Sequence, residues 1–202
     1  EDIWGNEEAN TNAVPEPGAS VSPYEIDLTG HSAGDWVFVS YAFVMSGSIQ
    51  DVLDDATNGD GQTTWDMAKW YDPADAADPW KTYSTIIPGF SDLANIDNTM
   101  GVWLHLKANG GDSKLTTGFT GDYSPTAVDI TLNAGWNLVG YPSATSRNAS
   151  DALSGTGADV IAVYNSTDPY ITDTADLASV TMWEGNAYWV HVPATTTWTV
   201  EP

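Results

Sequence analysis

Short apolar runs, broken by Gly, Pro, Asn and Asp, recur along most of this 202-residue chain. Trp36-Val-Phe-Val-Ser-Tyr41 is nearly continuous in apolar positions and predicts a central strand buried on both faces. Thr195-Thr-Thr-Trp-Thr-Val200 alternates instead, which suits a half-exposed closing strand. Ser48-Ile-Gln-Asp-Val-Leu53 and Asn148-Ala-Ser-Asp-Ala-Leu153 each read as one helical turn, with Ser48 or Asn148 as its N-cap. Residues 1–23 follow neither period, carry Pro15, Pro17 and Pro23, and read as an extended polar leader.

The runs occur twice in the same order. Ile26-Asp-Leu28 and Asp35-Trp-Val-Phe-Val-Ser-Tyr41 match Ile130-Thr-Leu132 and Gly135-Trp-Asn-Leu-Val-Gly-Tyr141. Ala68-Lys-Trp-Tyr71 matches Ile161-Ala-Val-Tyr164, and Asp78-Pro-Trp-Lys-Thr82 matches Asp168-Pro-Tyr-Ile-Thr172. Asp92-Leu-Ala94 matches Asp176-Leu-Ala178, and Val102-Trp-Leu-His-Leu106 matches Tyr188-Trp-Val-His-Val192. The first copy is longer, its additional residues falling in Asp54–Thr64 and around Ser84–Ser91. The expected fold is all-β, sandwich- or barrel-like, in two tandem related domains with short helical turns. Their spans are 24–122 and 123–202, after the leader 1–23.

Charge narrows the function more than the pattern does. The chain has 28 Asp and Glu against 5 Lys and Arg, a net charge of -23, and no Cys. Nucleic-acid binding is excluded, because phosphate contacts need a basic surface. Anionic lipid is disfavoured for the same reason. The longest apolar stretch, Trp36–Met45, is too short to span a bilayer, which takes about 20 residues. So acidic a surface repels itself in dilute solution and suits salt water or divalent cations. The expected location is extracellular or at the cell surface. A first residue of Glu1 rather than Met is expected of a processed or trimmed secreted chain, and a boundary cut within a longer chain would look the same.

Gly135-Trp-Asn-Leu-Val-Gly-Tyr-Pro142, followed by Gly185-Asn-Ala-Tyr-Trp-Val190, resembles a repeat module of archaeal and bacterial surface proteins. Such modules open with a Gly-Trp-Asn-Leu strand ending in Pro and close with a Gly-x-x-Tyr-Trp-Val strand. The first copy departs from the pattern at Asp35, Val37 and Ala42. The resemblance implies an exported β-rich module of envelope, filament or adhesive proteins, and it brings no catalytic residues.

Individual chemistry-bearing residues point the same way. Gly30-His-Ser-Ala-Gly34 matches the nucleophile-elbow pattern of α/β-hydrolases, but that mechanism requires a helix after the turn. Here Asp35-Trp-Val-Phe-Val follows, so a turn is expected. His105 and His191 fall at matching positions two residues after Trp103 and Trp189, on the same strand face. Duplication favours a scaffold role for both. Asp54, Asp55, Asn58, Asp60 and Asp66, on a Gly-rich insertion, are the candidate calcium ligands, set against a solvated acidic turn. Calcium is the single cofactor that the chain suggests. Asn148-Ala-Ser150 and Asn165-Ser-Thr167 fit the N-glycosylation pattern at Asn148 and Asn165. Trp65, Trp70, Trp80, Tyr71 and Tyr83 would serve a sugar platform if exposed, although matches at Tyr164 and Tyr170 place Tyr71 and Trp80 in a core.

The sequence therefore reads as a non-enzymatic structural protein of a surface layer or filament, partnered by itself or by other surface proteins. The alternative is a carbohydrate-binding or adhesion module whose partners are glycans. A hydrolase built on His31 and Ser32 ranks third.

Overall fold

The computed structural model describes residues 25–28, 30–53, 64–107, 114–116, 123–124, 126–165 and 172–202. These residues form an all-β protein of antiparallel sheets with two short helical turns. The first half contains β1 (Glu25–Asp27), β2 (Trp36–Val39), β3 (Ser46–Ser48), α1 (Ile49–Val52), β4 (Trp65–Tyr71), β5 (Trp80–Ser84), β6 (Asn95–Asp97), β7 (Val102–Leu106) and β8 (Lys114–Thr116). The second contains β9 (Val128–Leu132), β10 (Gly135–Gly140), β11 (Arg147–Asn148), α2 (Ala149–Ala152), β12 (Val160–Tyr164), β13 (Thr172–Ala175), β14 (Thr181–Met182), β15 (Ala187–Val192) and β16 (Thr196–Val200). Both halves pair their strands alike. The sheet β2-β7-β4-β5 corresponds to β10-β15-β12-β13, the ribbon β1-β8 to β9-β16, and β3-β6 to β11-β14.

Local chemistry explains the turns. Ser48 Oγ accepts the Asp51 N–H, and Asn148 Oδ1 accepts the Ser150 N–H, so each helical turn carries the cap its sequence predicts. Gly34, at φ +90°, and Gly135, at φ +100°, turn the chain into β2 and β10. Two tryptophans sit beneath the helical turns. Trp65 Nε1 donates to Leu53 O at 2.8 Å, and Trp198 Nε1 donates to Ala152 O at 2.6 Å. They come from β4 and β16, which are not equivalent strands, so each half fills the same position from a different place.

Each half has its own core. Val37, Val39, Ile49, Leu53, Trp65, Ile96 and Leu104 belong to the first, and Ile130, Leu132, Tyr141, Ile161, Val190 and Trp198 to the second. A third apolar layer joins them, with Phe38, Leu138 and Ala187 packed against Trp70, Tyr71, Trp103, Tyr164 and Trp189. One face of each four-stranded sheet thus covers its own core, and aromatic residues from both halves share this joining layer. Backbone bonds reinforce it reciprocally: Ser40 N donates to Gly185 O at 2.8 Å, and Gly140 N to Thr99 O at 2.9 Å. Val39 bridges Asn186, as Met100 bridges Val139.

This joint corrects one expectation. β2 lies at the end of its sheet's strand order, not in the middle. Val37 and Val39 face the first core, while Phe38, on the opposite face, is covered by the joining layer. An edge strand with both faces covered has the same apolar signature as a central one.

Candidate functional site

Cross-strand pairing builds the same three-residue unit in each half. Trp36 of β2 lies opposite His105 of β7, and Trp136 of β10 opposite His191 of β15. The rings are 5.0 Å apart in the first pair and 5.3 Å in the second. A carboxylate completes each unit. His105 Nδ1 is 2.5 Å from Asp66 Oδ1, and His191 Nδ1 is 2.6 Å from Asp159 Oδ1. The register of β4 shifts between Trp65 and Met67, so Asp66 is a bulge residue aimed at His105. Asp159 stands just before β12, and its N–H donates to His191 O.

No acid partner for either histidine is apparent from a strand pattern alone. The signal lay in the repeat: Asp66 precedes Ala68, and Asp159 precedes Ile161, by the same two positions. A carboxylate on Nδ1 orients the ring and turns Nε2 away from it. Such a unit can hold a polar or charged group against an aromatic face.

The two units differ in their surroundings. Lys69 Nζ lies 5.9 Å over the Trp36 ring. The repeat places Ala162 where Lys69 stands, and Trp136 is 37% exposed. Asp66 is 21% exposed in its side chain, Asp159 54%. Beyond Trp136 the aromatic row continues through Trp189 (90° between the rings), then Trp80 (73°) and Tyr71. Trp80 is 42% exposed, which corrects its expected place in a core. Tyr71 contributes to the joining layer. Trp65 is fully buried, and Tyr83 is buried as well.

A different surface feature distinguishes the first half. β5 runs into Ser84–Ser91, a segment with no counterpart before Asp176. A 3-10 turn, Pro88–Phe90, closes it, with the Ser84 N–H donating to Ser91 Oγ. Phe90 is 91% exposed, Ile86 74%, and Ile87 is also in solvent.

The other predicted residues fall as follows. Gly30–Gly34 is a turn in which Ser32 N donates to Asp35 Oδ2, and it leads into strand β2. Of the calcium set, Asp54, Asp55, Asn58 and Asp60 lie outside the described residues, and Asp66 carries the His105 ring. Among the described residues no group of three or more His, Asp or Glu is arranged to hold a metal ion. Asn148 Nδ2 donates to Ala178 O, and Asn165 Nδ2 to Asp173 Oδ2, so each amide makes one hydrogen bond to its own half. A cleft between the halves is lined in part by polar groups that already have partners. Asn137 Nδ2 donates to Asn133 O, and Asp129 Oδ1 accepts from Thr199.

One acid at the joint is electrostatically unusual. Burial raises the Glu184 pKa above the ordinary carboxylate range, against the opposing pull of the Tyr123 hydroxyl, which donates to it at 2.9 Å. Burial, followed by the neighbouring Glu184 charge, likewise raises the Tyr123 pKa. No family model, curated protein or solved structure matches this chain.

Proposed function

We propose that this chain is a non-catalytic structural module of a cell-surface layer or filament, and that it works by self-association outside the cell. The observation that carries this reading is the apolar finger at Ile86, Ile87 and Phe90. Burying an exposed Phe or Ile at a contact contributes about 1.5–3 kcal/mol each. The finger is held by its own hydrogen bonds, so little ordering cost opposes docking. A net charge of -23 opposes the same contact in dilute solution, which makes salt or divalent cations a condition of assembly.

The carbohydrate-binding reading would rest on Trp80 and Trp136. Their neighbouring rings stand at 73° and 90° to Trp189, so the row offers no common plane on which successive sugar faces could stack. That geometry favours the structural reading.

Light scattering in millimolar Ca²⁺ and in EDTA tests the proposal. The expected result is association in Ca²⁺, reversal in EDTA, and a monomer in both for the double variant Ile86→Ser/Phe90→Ser, with unchanged circular dichroism. A wild-type monomer under both conditions overturns self-assembly.

A further inference from the structure

We infer that Trp136, Trp189, His191 and Asp159 form a binding site for a lysine ammonium group presented by a basic partner protein. This goes beyond the assembly reading and does not rest on it.

The first half shows what the site accepts. There the equivalent tryptophan, Trp36, has its ring face occupied by Lys69, beside the equivalent His105–Asp66 pair. A cation over an indole face is attracted by the negative face of the ring. The second half keeps the tryptophan, the histidine and the aspartate but carries Ala162 in place of the lysine. Lys69 lies over Trp36, and the matching position beside Trp136 is Ala162, so the repeat supplies Trp136 with no cation from that position.

The geometry suits an ammonium better than a sugar. Trp136 and Trp189 meet at 90° with centroids 6.4 Å apart, forming a corner rather than a platform. Perpendicular aromatic walls with a nearby carboxylate are how proteins surround alkylammonium groups. His191 links the wall to the carboxylate, its ring 5.3 Å from Trp136 and its Nδ1 on Asp159 Oδ1. Asp159 is the more open of the two aspartates, so its second oxygen is available to a ligand.

The chain itself is a poor source of the lysine. It has five Lys and Arg in all. Three of the five are already engaged: Lys69 lies on Trp36, Lys81 is bound to Asp75 at 2.7 Å, and Arg147 donates to the backbone carbonyls of Glu201 and Pro202. With a net charge of -23, the complementary partner is a separate basic protein.

The test is a titration of the full chain with Nα-acetyl-lysine N-methylamide, followed through the tryptophan indole N–H resonances. The Trp136 signal, assigned by its loss in Trp136→Phe, should shift and saturate, whereas the uncharged norleucine analogue should leave it in place. Asp159→Asn should weaken binding by about fivefold or more, the loss of one charge contact. Lys69→Ala should uncover a second site, so that the Trp36 resonance also responds. An unmoved Trp136 resonance, an equal response to norleucine, or a response to oligosaccharides in place of the lysine probe each overturns the assignment. Tighter binding of tetramethylammonium than of the lysine probe overturns the choice of lysine.

Discussion

At the scale of the residue, the informative groups are the ones whose environment changes their chemistry. Glu184 is the clearest. Its pKa is raised by burial, so folding favours the protonated form. The stability this provides is complete below the ordinary Glu pKa and is lost as pH rises through the raised folded value. Glu184→Gln keeps an acceptor for Tyr123 and removes the charge. Its melting temperature should exceed that of wild type near neutral pH, and the difference should shrink as pH falls toward 4. Thermal melts of both proteins across that range check this, and a difference independent of pH would rule out Glu184 as the cause. Sequence chemistry predicts the caps at Ser48 and Asn148 because a cap is a contact between near neighbours. The carboxylates on His105 and His191 come from residues 39 and 32 positions away, and only strand pairing brings them together.

At the scale of the element, the reciprocal strand ends bring the two halves into close backbone contact. A Cβ on Gly140 would lie 2.7 Å from Asn98 O, 3.0 Å from Met100 O, and closer still to Ser40 Oγ. Two of these neighbours are backbone atoms beside the Gly140–Thr99 bond, so they cannot swing aside. Gly140→Ala should therefore destabilise by about 1–3 kcal/mol, as overpacking does. Gly89→Ala, in the exposed finger, meets nothing within 4 Å and should change stability little. Urea denaturation of the two variants separates them, and equal midpoints would contradict the close approach. Edge strands such as β2 show where element-level reading fails: apolar periodicity reports that both faces are covered, not what covers them.

At the scale of the whole molecule, two cores linked by an aromatic layer and backbone bonds should not unfold independently. Tyr123 carries this coupling in a single side chain. It packs edge-on to Phe43 of the first core, with centroids 4.9 Å apart, and donates to Glu184 of the second half. Tryptophan fluorescence and far-ultraviolet circular dichroism should give coincident urea transitions. Two separated transitions would mean that the halves are only neighbours. The apolar finger and the open Trp136 corner lie one in each half of this joined structure.

The sequence by itself determined the all-β class, the turns and the caps, because each depends on residues within a few positions of one another. It also carried the repeat register that pairs Asp66 with Asp159, although nothing local says that either meets a histidine. Tertiary structure alone decided that Trp80 lies partly in solvent, that Phe38 and Leu138 face a common layer, and that Lys69 covers one tryptophan while its counterpart stays open. These outcomes depend on how two sheets approach each other. That approach is set by side-chain volume summed over both halves, which no stretch of sequence contains.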